Sequence, residues 1–141
     1  MLAKQLSVFI ENRKGRLGEL LDVLKESGVN ILSLSLADTM EYGLLRLIVD
    51  DPQKGKESMT AAGCSCMLTE VFIVKIPHSP GSLQKILKTI ADEEIGVEYM
   101  YGLSYGGGEA CIVVKTSDSA RAEEVFTKHG IETTSHCKLA F

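Results

Sequence analysis

Asn12-Arg13-Lys14-Gly15-Arg16-Leu17-Gly18-Glu19-Leu20-Leu21-Asp22-Val23-Leu24 returns later in the chain as His78-Ser79-Pro80-Gly81-Ser82-Leu83-Gln84-Lys85-Ile86-Leu87-Lys88-Thr89-Ile90. In both stretches an alternating apolar run ends in a polar turn, the turn carries a glycine, and two residues later an amphipathic pattern begins. Gly15 becomes Gly81, and the stripe Leu17, Leu20, Leu21, Leu24 recurs as Leu83, Ile86, Leu87, Ile90, each 66 positions on. Apolar residues at i, i+3, i+4 and i+7 predict a helix with one buried stripe.

Outward from these stretches the match continues. Before the first, Leu6, Val8 and Ile10 alternate with Ser7 and Phe9, as a half-buried strand does, and Phe72, Val74 and Ile76 repeat them. After it, Gly28 stands where a glycine ends a helix, and residues 29–37 and 43–50 read as two strands around a turn. Asp51-Pro52 is an N-cap followed by proline in the first helical position. The helix it opens has Gly55, Met59 and Ala62 as its inner face and stops at Gly63 before a strand over 64–69. In the second half, 97–101 is the corresponding strand. A hairpin over 104–108 is one residue longer than its counterpart, so Leu45, Leu47, Asp51 and Gly63 match Ile112, Val114, Asp118 and Gly130 at an offset of 67. Asp118 caps a last helix with Ala122, Val125, Phe126 and His129 facing inward, and a strand follows from Ile131 to about Lys138.

The order is strand, helix, strand, strand, helix, strand, twice over. The fold class is therefore α+β, two ferredoxin-like βαββαβ units in tandem over residues 1–69 and 70–141, with antiparallel sheets, helices on one face and the units side by side. A unit of ~60 residues buries only about 60% of its unfolded surface, and the helix-free sheet faces carry Phe9, Leu44, Ile73, Tyr99 and Val113. Both facts predict a homodimer.

Hydrophobic residues make up 45% and charged residues 24% of the 141, with a net charge of −4 and no run of Lys or Arg. That excludes the electrostatic footprint of a nucleic-acid binder or an anionic-membrane binder. No apolar stretch is long enough to span a bilayer and the first residues lack the pattern of a leader, so the expected place is the cytoplasm. Cys64, Cys66, Cys111 and Cys137 fit reduced thiols there; Cys64 and Cys66 lack a second pair at zinc spacing and read as small apolar strand residues. No metal and no cofactor is expected.

The chemistry lies in the duplicated turn. A helix N-terminus presents N–H groups that attract anions, and glycine lets a ligand approach. Asn12, Gly15, Arg16 and Leu17 form the first candidate site, and His78, Gly81, Ser82 and Leu83 the second. A free amino acid would place its carboxylate on these N–H groups, and Asn30, expected beside the first turn, would accept from its ammonium; the matching residue of the second half is Gly96. The plainer reading is that both turns are capping structures, with His78 solvated and Arg13, Lys14 and Arg16 a solvated basic patch.

The doubled turn-Gly-x-Leu pattern, the Gly-Val-Asn-Ile strand entry at 28–31 and the two βαββαβ units resemble a tandem ACT-domain protein over nearly the whole chain, to about Ser135. The resemblance implies a non-catalytic sensor of a small molecule, most often an amino acid, bound at a domain interface. It carries over Asn12, Gly15, Arg16, Leu17, Asn30 and Ile31 in the first copy and Gly81, Ser82, Leu83, Val97 and Tyr99 in the second. The second copy departs from the pattern at residues 94–96, where the amide is missing. ACT domains usually regulate an attached enzyme or DNA-binding domain; here the regulated partner would be a separate protein. The competing class is an acylphosphatase-like hydrolase of the same strand order, with Arg13 or Arg16 and Asn30 at a phosphate. Its glycine-rich cradle and the following Phe-Arg are absent, and the duplication is unexplained by it.

Overall fold

A computed structural model describes residues 1–38, 41–103 and 109–135. The first unit, Lys4–Thr69, contains β1 (Ala3–Glu11), α1 (Arg16–Glu26), β2 (Ile31–Asp38), β3 (Tyr42–Val49), α2 (Pro52–Ala61) and the start of β4 (Ser65–Pro77). The second, Glu70–Phe141 with Met1–Ala3, contains the rest of β4, α3 (Ser82–Asp92), β5 (Val97–Leu103), β6 (Glu109–Thr116), α4 (Ser119–Lys128) and the short β7 (Thr133–Thr134). Each is a βαββαβ unit. The hairpin expected over 104–108, and the final strand beyond Ser135, lie outside the described residues.

Strand order in the first unit is β2-β3-β1-β4, with Leu6 opposite Leu47 and Val8 opposite Leu45 in the antiparallel β1–β3 ladder. In the second unit β4 lies between β6 and β7, and β5 flanks β6; Phe72 stands opposite Val114 and Val74 opposite Ile112. Period-two alternation sends these residues to the helix side, where each unit closes its own core. The first core is aliphatic, built from Leu6, Val8, Leu20, Leu24, Leu45, Leu47 and Met59. The second contains Phe72, Val74, Ile90, Val114, Val125 and Phe126, and its two phenylalanine rings meet edge to face with centroids 4.9 Å apart. Leu2 packs against this core, and the Met1 ammonium pairs with Glu123 and donates to Thr133 Oγ1 at 3.2 Å.

The helix ends follow the sequence signals. Asp51 and Asp118 accept from the backbone N–H groups of Lys54 and Arg121, both at 3.1 Å, and so cap α2 and α4. All four helices end in paired bonds of the Schellman type; at α1, Gly28 N donates to Lys25 O at 3.0 Å and Val29 N to Leu24 O at 2.9 Å. The residue in the left-handed position is Gly28, Gly63 or Gly130 in three of them, but Glu94, at φ 58°, in the fourth.

Four expectations are corrected. Ala62 and His129 are exposed, because each is the C-cap residue of its helix and the reversing chain turns it off the inner face. Leu21, Leu83 and Leu87 stay outside the cores while Val23 joins the first, so the buried stripe is narrower than the expected one and, in α1, rotated from it. Ile73 and Val113 lie on the helix-free side yet are buried. They stand directly across the ladder from one another, and Val113 also faces Tyr101, so burial on this side of the second unit extends over neighbouring strands. Phe9, by contrast, is 52% exposed.

Candidate ligand site at the strand to helix turns

The two turns share one backbone. Arg13 N donates to Glu11 O at 2.9 Å, Arg16 N to Arg13 O at 3.2 Å and Glu19 N to Gly15 O at 3.2 Å; 66 positions on, Ser79, Ser82 and Lys85 donate to Pro77, Ser79 and Gly81 at 3.0, 3.3 and 3.0 Å. Gly15 (φ 83°, ψ −7°) and Gly81 (φ 84°, ψ −8°) occupy the N-cap positions in the left-handed conformation, which a side chain bearing a Cβ resists. Neither α1 nor α3 receives a side-chain cap, in contrast to α2 and α4. Arg16 N and Ser82 N are spent within the turns, so it is the N–H groups of Leu17 and Gly18, and of Leu83 and Gln84, that remain for an acceptor from outside the helix.

The side chains around the two turns differ. In the first, Arg13 Nη2 and Arg16 Nη1 bond one carboxylate oxygen of Glu19 at 2.9 and 3.1 Å. Arg16 Nε lies 3.1 Å from Glu11 Oε2 but is not directed at it, so that contact is an ion pair without a hydrogen bond. Hydrogen bonds from Arg13 and then Arg16 hold the Glu19 carboxyl below its usual range, while donating to Glu19 raises Arg16. Arg16, with a side chain 19% exposed, is thus a bound residue and not part of a solvated patch. In the second turn Ser79 Oγ and Ser82 Oγ share a hydrogen bond at 2.8 Å. Beside it opens a recess of about 560 Å³ lined by Ile76, Pro77, His78, Leu83, Leu103 and Cys111, among others.

Asn12, Gly15, Arg16 and Leu17 come together at the first turn, with Leu17 packing on the core, and Gly81, Ser82 and Leu83 come together at the second. Asn30 and Ile31 do not join them. Asn30 N donates to Asp50 Oδ1 at 2.9 Å and Ile31 pairs with Val49, at the end of the sheet opposite the turn. The reason is topological: α1 runs back along the sheet, and its 11 residues place ~16 Å between its ends. Val97 and Tyr99 are displaced in the same way, opposite Thr116 and Lys115, with Gly96 N held by Ser117 Oγ at 3.0 Å. The residues that line the recess, Leu103 and Cys111, were missed; the antiparallel order alone places the end of β5 and the start of β6 at the turn.

The sequence profile described as the ACT domain pair matches residues 1–140. The chain belongs to the ACT domain pair family. This ACT pair is similar to a solved protein of Bacteroides thetaiotaomicron, with 32% identity, 96% of this chain and 93% of that one covered and a TM-score of 0.90. It is also similar to the ligand-free regulatory subunit of aspartate kinase from Thermus thermophilus, at 14% identity, 90% and 91% coverage and a TM-score of 0.65. The corresponding subunit from Thermus flavus, at 14% identity, covers 91% and 92% with a TM-score of 0.62. These last two likenesses concern the fold. Comparison with curated proteins gave no match. Among the described residues no cluster of three or more His, Cys, Asp or Glu is arranged to hold a metal, and no described helix is long and apolar enough to cross a membrane.

Proposed function

We propose that this ACT pair is a non-catalytic cytoplasmic sensor that binds a free amino acid at its strand to helix turns and passes the signal to a separate protein. The observation that carries the reading is the missing cap: α1 and α3 start on left-handed glycines with no side-chain acceptor, while α2 and α4 are closed by aspartates. A ligand carboxylate supplies the acceptor that the chain omits.

The separation of Asn30 from Gly15 favours a homodimer in this role. One amino acid cannot reach both residues within a copy. β2 is an edge strand whose Leu34 and Leu36 are 44% and 46% exposed. Antiparallel pairing of β2 with its counterpart in a second copy would carry the Asn30 end of one strand to the Asp38 end of the other, beside that copy's turn. Asn12, Gly15, Arg16 and Leu17 of one copy would then face Asn30 and Ile31 of its partner. The same logic applied to the second unit sets Gly81, Ser82 and Leu83 against Val97 and Tyr99.

Thermal denaturation in the presence of each of the twenty amino acids tests the proposal. One or a few should raise the midpoint, since a ligand at 100 times its Kd adds about 2.7 kcal/mol. No response from any of them, with turnover of an acyl phosphate, would replace the sensor by the hydrolase.

A further inference from the structure

A second groove of about 430 Å³ lies on the other side of α3, between the end of β4 and the turn that follows α4. Ile76, Ile86 and Ile131 give it an apolar floor, Ser82 and Thr89 add hydroxyls, and Lys85 stands at its wall. The Lys85 ammonium forms no ion pair with any described residue. The acidic residue of the rim, Glu132, is held by Lys75 Nζ at 3.4 Å.

The first unit shows what a filled version of this groove contains. By the repeat offsets, Ser82 corresponds to Arg16, Lys85 to Glu19 and Ile131 to Cys64. There the Arg16 guanidinium lies across the groove, 3.9 Å from Cys64 Sγ and bonded to Glu19, with its Nε buried. In the second unit the plug is a serine and the carboxylate that held it is a lysine. The copy has lost the cation that fills the space and gained one on its wall.

We propose that this groove binds a small carboxylate with an apolar body, as a site that adjoins the turn through Ser82 but takes its ligand elsewhere: the body lies on Ile76, Ile86 and Ile131, and the carboxylate meets Lys85. The apolar floor favours an acid with a hydrocarbon body over inorganic phosphate, whose oxygens would be left against isoleucines.

Isovalerate is the probe, with its neutral isostere isovaleramide and inorganic phosphate as comparators, followed by amide chemical shifts of the full chain. Isovalerate at millimolar concentration should move the signals of Lys85, Thr89, Gly130 and Ile131. Lys85→Glu should weaken it about tenfold or more, the scale of one charge-assisted hydrogen bond. Thr89→Trp, two turns from Gly81, should block it by filling the groove, and both variants should melt cooperatively and keep any response to amino acids at the turn. No shift with isovalerate, equal effects of acid and amide, or stronger effects of phosphate would overturn the proposal. So would Lys85→Glu and Thr89→Trp that both fold and bind like the parent. Each of these results leaves the amino-acid reading of the turns standing, because that reading is scored separately in the amino-acid screen.

Discussion

The first turn and the second are one backbone carrying two different sets of side chains. Around Gly15 two arginines and two glutamates close on one another; around Gly81 two serines meet and the space beside them stays open. The hydrogen bonds that shape the loop match to within 0.2 Å in the two copies. Charge therefore does not make the turn; glycine and main-chain bonds do, and the side chains are left to decide what occupies it.

Substitution of the glycines is the sharpest way to break this comparison. A Cβ at Gly15 or Gly81 would meet no atom within 4 Å, so the cost of valine is conformational. Gly15→Val and Gly81→Val should each destabilise by about 1–3 kcal/mol, as β-branched residues do in the left-handed region. Chemical denaturation should give similar losses for the two, and ligand binding at the altered turn should fall as well. A much larger loss at Gly15 would mean that the ion pairs, not the backbone, hold the first turn.

The ends of α1 and α3 sharpen the comparison from the other side. Gly28 and Glu94 hold the same left-handed position after these helices, and only glycine does so without strain. Glu94→Gly should stabilise the second unit by about 0.5–1 kcal/mol, read as a rise in denaturation midpoint. No gain would show that Glu94 compensates through contacts of its side chain.

The smallest expected effect is on acid stability. Arg13 and then Arg16 depress the Glu19 carboxyl below its unfolded value of ~4.3. Its contribution is complete above that value and is lost as the pH falls through the lower folded one. Glu19→Gln should therefore lower stability at neutral pH slightly and flatten the acid limb of a stability-versus-pH curve. The half-exposed setting of the Glu19 side chain keeps the effect small and salt-dependent. An unchanged acid limb would remove Glu19 from the balance of the first turn.

Much of this was legible because the chain repeats itself. The stripe Leu20, Leu24 and its echo Ile90, the caps Asp51 and Asp118, and the glycine stops all sit within one helical turn of the residues they act on. What pattern reading missed depends on distance. Asn30 is 15 residues from Gly15 in sequence, but a helix along the sheet carries it to the opposite end. Arg16 reads as solvated until Glu11 from the end of β1 and Cys64 from beyond α2 join Glu19 of its own helix around it. Ala62 and His129 continue the helical period on paper and leave it in space, because period says nothing about where a cap turns the chain.

The edge-to-face pair Phe72 and Phe126 belongs to one core, and the described residues of the other core include no aromatic ring. Methyl groups of Val74 or Ile90 in that second core are therefore subject to ring-current shifts from this pair, a reporter that the aliphatic interior of Leu6 and Leu47 lacks. Loss of those dispersed resonances during a melt would time the collapse of one half of the molecule without labels or probes.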